Sequence, residues 1–189
     1  MLGYIYNEEK VEAIVNNVYD ECYKYVIGKF SNVYNGIPFN KDSIDYKFDG
    51  GENKYCHAGR YHNDGQYIEL FTKGLDDIYN KLITKTRNDT KYKDVDYLRM
   101  IVEAILVHEL THWINQDEKK CSKYEERANK VAKEYIIYKY GESCLRLHVI
   151  MDYIGDVNFE LKEDENGYFI IPENYIILNK IRHRFLTFS

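Results

Sequence analysis

The residues whose types and spacing could do chemistry lie in the segment His108-Glu-Leu-Thr-His112. On an α-helix, residues four apart differ by about 40° around the axis, so both imidazoles project from one face, one turn apart. That arrangement suits two ligands of a single tetrahedral zinc ion. Glu109 lies about 100° from His108, beside the ligands, where it can act as a general base toward a water. The spacing therefore predicts a site for one Zn²⁺ ion, with Glu109 as the catalytic residue.

The element that must position these residues is a helix predicted over 97–114. Most of its positions are apolar and they spread around the axis, which is typical of a buried helix. Three ionisable side chains buried there would cost several kcal/mol unless something satisfied them, and a metal ion does so directly. The alternative is that His108 and His112 are neutral core residues bonded to backbone carbonyls, with Glu109 at the surface.

A catalytic zinc site needs a third protein ligand, and Glu125 on the next helix is the best candidate. Glu125 falls on the apolar side of a helix predicted over 122–140, where the small residues Ala128 and Ala132 allow a close approach. A short connection makes the two helices antiparallel neighbours. As an alternative, Ser122-x-x-Glu125 is a capping box that needs no metal. Four further residues remain as fallback ligands: Asp117, Cys121, Glu126 and His148.

The remaining pattern predicts an α+β domain, because strands are followed by helices. No repeat or linker divides the chain, so we expect a single domain over 1–189. Predicted helices cover 8–27, 75–83, 97–114, 122–140, 144–153 and 173–185; predicted strands cover 55–61, 67–71, 157–161 and 168–171; predicted loops cover 35–53 and 87–94.

Charge and hydropathy favour some classes of partner over others. The net charge is −5 and the sequence pI is near 5.7, whereas nucleic-acid and anionic-membrane binders usually carry a basic excess. No apolar run approaches the length of a membrane span. The first residues lack the pattern of a secretory signal, so we expect a cytoplasmic protein with neither nucleic acid nor membrane as partner.

Residues 101–136 resemble the gluzincin metallopeptidases, and especially the minimal ImmA/IrrE-type domains. These pair H-E-x-x-H with an E-x-x-A-N-x-x-A helix, which is similar to Glu125-x-x-Ala128-Asn129-x-x-Ala132. The resemblance implies a zincin-like fold with His108, His112 and Glu125 as zinc ligands and Glu109 as base. It also implies a β-hairpin before the active-site helix, whose edge strand aligns an extended peptide; 55–72 is similar to that hairpin. SprT-type proteases share this order but would need His148 as third ligand.

These features predict a zinc-dependent peptidase that cleaves a peptide bond in an intracellular protein or peptide substrate. A second donor to the oxyanion is normally needed, and Arg60, Tyr61, Tyr135 and His148 are candidates. The alternative is a binding or regulatory protein that keeps a zincin scaffold and occludes a partner without proteolysis. An intact Glu109 argues against that alternative, because a scaffold needs no base.

Overall fold

The computed structural model describes residues 5–49, 58–86, 96–117 and 122–140. Within these ranges the chain forms four α-helices and a small three-stranded sheet, which confirms the predicted α+β class. The helices are α1 (Glu8–Lys29), α2 (Thr72–Thr86), α3 (Tyr97–Ile114) and α4 (Ser122–Tyr140), and the strands are β1 (Ile44–Lys47), β2 (Gly59–His62) and β3 (Tyr67–Phe71).

The expected loop over 35–53 was wrong in one part, because it contains β1. Ile44 and Tyr46 alternate with polar residues there, but a strand of four residues inside a polar stretch leaves too short a pattern to recognise. Helix α2 also begins directly after β3, at Thr72 rather than Leu75. The loop predicted over 87–94 and all elements predicted beyond residue 140 lie outside the described residues, as does part of the single domain expected over 1–189.

The sheet has the order β1-β3-β2, with β1 parallel and β2 antiparallel to β3. Ile44 pairs with Ile68, and Gly59 with Leu70, so these residues share one face of the sheet. That face packs on α3, since a side chain at Gly59 would collide with Ile105. Within the described residues β2 is an end strand, and it is the strand that lies against the histidine helix.

Helix α3 is buried around most of its circumference, as its apolar composition predicts. It packs against α1, α4 and β2, which together cover its sides. Asp96 caps its first turn by accepting a hydrogen bond from the Arg99 backbone N–H, 3.1 Å away. The same surroundings that bury its aliphatic side chains also bury Glu103, Glu109 and His112.

Helix α4 runs antiparallel to α3, as predicted. Its first turns lie beside His108 and His112, whereas its last turn lies beside Glu103 near the start of α3. The predicted inward stripe is confirmed, because Ala128, Ala132, Tyr135 and Ile136 are all fully buried. None of the described helices combines the length and hydropathy needed to span a membrane.

A buried carboxylate fixes the far end of this helix pair. Glu103 is fully buried and accepts hydrogen bonds from Arg99 Nε at 2.8 Å, Lys139 Nζ at 2.9 Å and the Tyr140 hydroxyl at 2.6 Å. Lys139 also pairs with Glu21 of α1. A buried charge is tolerated only when it is neutralised and hydrogen-bonded, so this cluster joins α1, α3 and α4 in one register.

We predict that Glu103→Gln lowers the free energy of unfolding by about 1.5–3 kcal/mol, because charge-assisted hydrogen bonds to two cations are lost. Urea unfolding followed by circular dichroism would measure the change. The matched control is Glu12→Gln, which removes an exposed carboxylate from α1 and should alter stability by less than about 0.5 kcal/mol. Equal stability of the two variants would contradict the assigned role of Glu103.

Candidate metal centre

Helix α3 brings the two predicted histidines together on its surface toward α4. Their Nε2 atoms lie 3.0 Å apart, and the ring centroids are separated by 4.7 Å. The side chain of His108 is 12% exposed and that of His112 is 9% exposed, so both rings lie at the edge of the core. The two histidines, four residues apart on one helix, therefore direct their Nε2 atoms to one point, as their spacing predicts.

Glu125 joins the two histidines from α4. Its Oε2 atom lies 3.3 Å from His108 Nε2, and its Oε1 atom lies 3.7 Å from His112 Nε2. Burial alone would raise the pKa of this carboxyl, but the adjacent imidazoles of His108 and His112 hold it well below its ordinary value. Both oxygens thus face the imidazoles, in the orientation that a ligand requires. The capping alternative depends on the Ser122 side chain, which is outside the described part of the chain.

Glu109 lies beside this group and is almost completely buried. Metal-binding atoms of His108, Glu109 and His112 all lie within 4.8 Å of one another. Burial raises the pKa of Glu109; the two imidazoles and a hydrogen bond from the backbone N–H of Tyr61 offset part of that rise. A carboxylate with a raised pKa can accept a proton and hold it, which is the property of a general base.

Strand β2 passes directly over Glu109, and Gly59 makes this approach possible. A Cβ atom at position 59 would lie 2.8 Å from Glu109 Oε1 and 2.7 Å from Ile105 Cγ2, both well inside normal contact. Only glycine leaves room for the carboxylate at this position. Glycine is thus required at position 59 by the closeness of Glu109 and Ile105, and not by a backbone conformation that favours glycine.

The outer edge of β2 also lies beside Glu109. The backbone N–H of Phe71 donates to the Ala58 carbonyl at 2.9 Å, so the antiparallel alternation directs the polar backbone groups of Arg60 toward β3. Those of Gly59 and Tyr61 then point outward, in agreement with the hydrogen bond from Tyr61 N–H to Glu109. An extended edge with outward backbone groups therefore lies beside Glu109.

Asp117 and Arg127 belong to the site in a way that the sequence did not reveal. Asp117 was a fallback ligand, but its Oδ2 atom lies 2.8 Å from Nδ1 of His112, the nitrogen opposite to the one that faces Glu125. Arg127 Nη2 holds the same carboxylate, at 2.5 Å from Oδ1 and 2.7 Å from Oδ2. Asp117 therefore contacts His112 from behind and is not in the position of a ligand. The signal that could have found it is the carboxylate five residues after His112, just past the helix end.

The pKa of His112 reflects these carboxylates. Burial would lower it, but the nearby carboxylate of Glu125, the charge of Glu109 and the hydrogen bond with Asp117 outweigh burial and raise the pKa to about 9. His112 is consequently protonated at neutral pH when no metal competes for it.

Two of the proposed oxyanion donors were wrong. The Tyr135 hydroxyl lies with Cys22 and Lys139, in the cluster around Glu103 and away from the histidines. Arg60 places its guanidinium over the Phe71 ring, on the sheet face opposite to α3. Tyr61 does reach the site through its backbone, while its hydroxyl donates to Asn63 Oδ1.

Of the other fallback ligands, Glu126 is exposed and has no contact with the histidines. Cys121 and His148 lie outside the described residues.

We predict that Gly59→Ala lowers the free energy of unfolding by about 1–3 kcal/mol, because the added methyl group must displace Glu109 and Ile105. Gly28→Ala in α1 is the matched control. A Cβ there meets nothing within 4 Å, so this change should stabilise the protein by up to about 1 kcal/mol. Urea unfolding of both variants tests the assignment, and a neutral Gly59→Ala would refute the close approach of β2.

Two imidazole nitrogens and one carboxylate are a donor set that suits a divalent ion, with zinc preferred. Nitrogens that share a tetrahedral zinc at about 2.0–2.1 Å lie about 3.3 Å apart, close to the 3.0 Å between the two Nε2 atoms. Comparison of the chain with family models, with curated proteins and with solved structures gives no match. The fit of these residues to a metal ion therefore depends on their own geometry.

Proposed function

We propose that this protein is a zinc-dependent peptidase with His108, His112 and Glu125 as ligands of one Zn²⁺ and Glu109 as the catalytic base. The observation that carries the proposal is the convergence of these side chains from two helices, with contacts of 3.0, 3.3 and 3.7 Å. His112 and Glu125 meet at this point although they are thirteen positions apart in sequence.

When bound, zinc would supply the Lewis acidity that polarises a peptide carbonyl and activates a water. We assign Glu109 to take the proton of the attacking water, since its carboxylate lies within 4.8 Å of the metal-binding atoms of both histidines and Glu125 supplies the third ligand from α4. Its buried surroundings stabilise the protonated form, so the same carboxyl can deliver the proton to the leaving amine. The backbone N–H of Tyr61 keeps the carboxylate in place between these two transfers.

The outer edge of β2 suggests how a substrate is held. The backbone groups of Gly59 and the carbonyl of Tyr61 point outward and can pair with an extended peptide, which adds a strand to the sheet beside Glu109. Backbone pairing fixes the direction of the peptide without regard to most of its side chains. A protein or peptide is thus the proposed substrate, and the resemblance to ImmA/IrrE-type domains favours an intracellular one in the cytoplasm.

We predict that Glu109→Gln retains zinc but lowers peptidase activity by about 10²–10⁴-fold, because the amide cannot take a proton. His112→Ala should lose both zinc and activity, since a ligand is removed. Metal analysis of the purified variants and mass spectrometry of new termini in a peptide library would measure the two properties. Glu126→Gln, an exposed change on α4, is the control that should retain both.

Cleavage by Glu109→Gln at the wild-type rate would reject the role of this residue. A wild-type protein that binds zinc but cuts no peptide, and binds a partner equally well after chelation, would favour the occluding scaffold instead.

Zinc affinity should also depend on pH in a defined direction. The metal binds neutral imidazole, whereas His112 has a pKa raised to about 9 in the metal-free protein and carries a proton at pH 7. Binding must release that proton, so affinity should rise by up to tenfold per unit between about pH 7 and pH 9 and level off above. Competition with a chelator of known pH dependence measures the slope, and a constant affinity over this range would contradict the shift.

A further inference from the structure

We propose that Asp117, held by Arg127, is a positioning residue that fixes the ring orientation and tautomer of His112, so that Nε2 is the nitrogen offered to a metal. This inference rests on the proposed zinc site and assigns functions to two residues outside the ligand set. It follows from a chain of contacts that runs from α4 through the end of α3 to the back of the imidazole.

The hydrogen-bonding capacity of the three groups permits only one arrangement. An ionised carboxylate only accepts and a guanidinium only donates. Arg127 contacts both oxygens of Asp117, at 2.5 and 2.7 Å, and so fixes the orientation of the carboxylate. Nδ1 of His112, 2.8 Å from Asp117 Oδ2, must then be the donor. The lone pair of the neutral ring is left on Nε2, which faces His108 and Glu125.

The end of α3 is built to bring Asp117 to this place. Asn115 ends the helix and Gln116 adopts a left-handed conformation with φ of 52°. The backbone N–H of Gln116 then donates to the Trp113 carbonyl at 3.0 Å, and that of Asp117 donates to the His112 carbonyl at 3.1 Å. These two bonds define a Schellman motif, which turns the chain back on the last helical turn. Asp117 is thereby bonded to His112 through both its backbone and its side chain.

Burial makes the arrangement specific. The Asp117 side chain is only 6% exposed, so its charge needs a partner, and Arg127 supplies one from the helix that also carries Glu125. The guanidinium is itself placed over the Tyr124 ring, 5.1 Å from its centroid. A carboxylate that accepts a hydrogen bond from a histidine ligand orients that ligand, and removal of the carboxylate typically weakens metal binding by about 10–100-fold.

The test compares zinc affinity of the whole protein in four forms: wild type, Asp117→Asn, Arg127→Met and the double variant. Asp117→Asn keeps the shape but removes the ionised acceptor, and we expect about 10–100-fold weaker zinc binding in chelator competition. Arg127→Met should weaken binding by a smaller factor, because Asp117 loses its clamp. The double variant should bind no more weakly than Asp117→Asn, since Arg127 acts only through Asp117. Glu126→Gln is the control for loss of a charge on α4.

Cobalt substitution gives a readout that a purely structural role would not change. If His112 is misoriented, the visible absorption of the cobalt-loaded Asp117→Asn protein should shift and weaken relative to wild type. An unchanged spectrum and unchanged zinc affinity in a folded Asp117→Asn protein would overturn the inference. Additive losses of zinc affinity in the double variant would also overturn it. Tighter zinc binding by Arg127→Met would overturn it too, because that result would indicate that the guanidinium acts through its charge alone.

The failures of the two proposals can be told apart. A wild-type protein that binds no zinc removes the proposed function and this inference with it. A wild type that binds one zinc ion, with variants that bind equally well, removes only the positioning role. If Asp117→Asn does not fold, Arg127→Met carries the test, because its change lies in a partly exposed side chain; unchanged zinc affinity and cobalt spectrum in that variant then overturn the inference.

Discussion

The structure depends on one constraint, the need to satisfy ionisable groups inside a helix that is buried on most sides. Helix α3 buries a carboxylate near its start and an imidazole with a carboxylate near its end. Unpaired, each would cost several kcal/mol. Helix α4 meets both needs. At one end Lys139 neutralises Glu103 and Tyr140 donates a hydrogen bond to it, while at the other end Glu125 contacts the histidines and Arg127 pairs with Asp117.

The two ends of α4 meet this constraint with different chemistry. At the Glu103 end, each acceptor has a donor and each charge has a counter-charge, so nothing remains for a ligand. At the other end, two imidazoles and two carboxylates, Glu109 and Glu125, share a small volume. The contacts with Glu125, Glu109 and Asp117 raise the pKa of His112, and burial raises the pKa of Glu109. Such a group of nitrogen and oxygen atoms could serve as ligands of a cation, which is the basis of the proposed zinc site.

Local pattern predicted the parts of the fold and site that lie within single helices. The buried α3, the inward stripe of α4 and the phase of Glu125 all follow from a period of 3.6 residues. Individual side-chain contacts between elements were less predictable than the pairing of α3 with α4. Tyr135 looked like a possible donor to the site, but the helix phase that buries it directs its hydroxyl to Lys139. The pairing of Asp117 with Arg127 spans two helices and depends on the turn at Gln116, for which the sequence offers no glycine as a signal.

The cluster at Glu103 bears on the site although it lies at the opposite end of the helix pair. Whether Glu125 reaches His108 depends on the register of α4 against α3, and a shift of one residue would move it by about 1.5 Å along the axis and 100° around it. The contacts of the fully buried Glu103 with Lys139 and Tyr140 favour this register, because a shift of α4 would remove two of the donors to the carboxylate. The ion cluster around Glu103 thus maintains the register of α4 against α3 that places Glu125 beside the two histidines. The proposed zinc site therefore depends on the contacts of Glu103 as well as on its own residues.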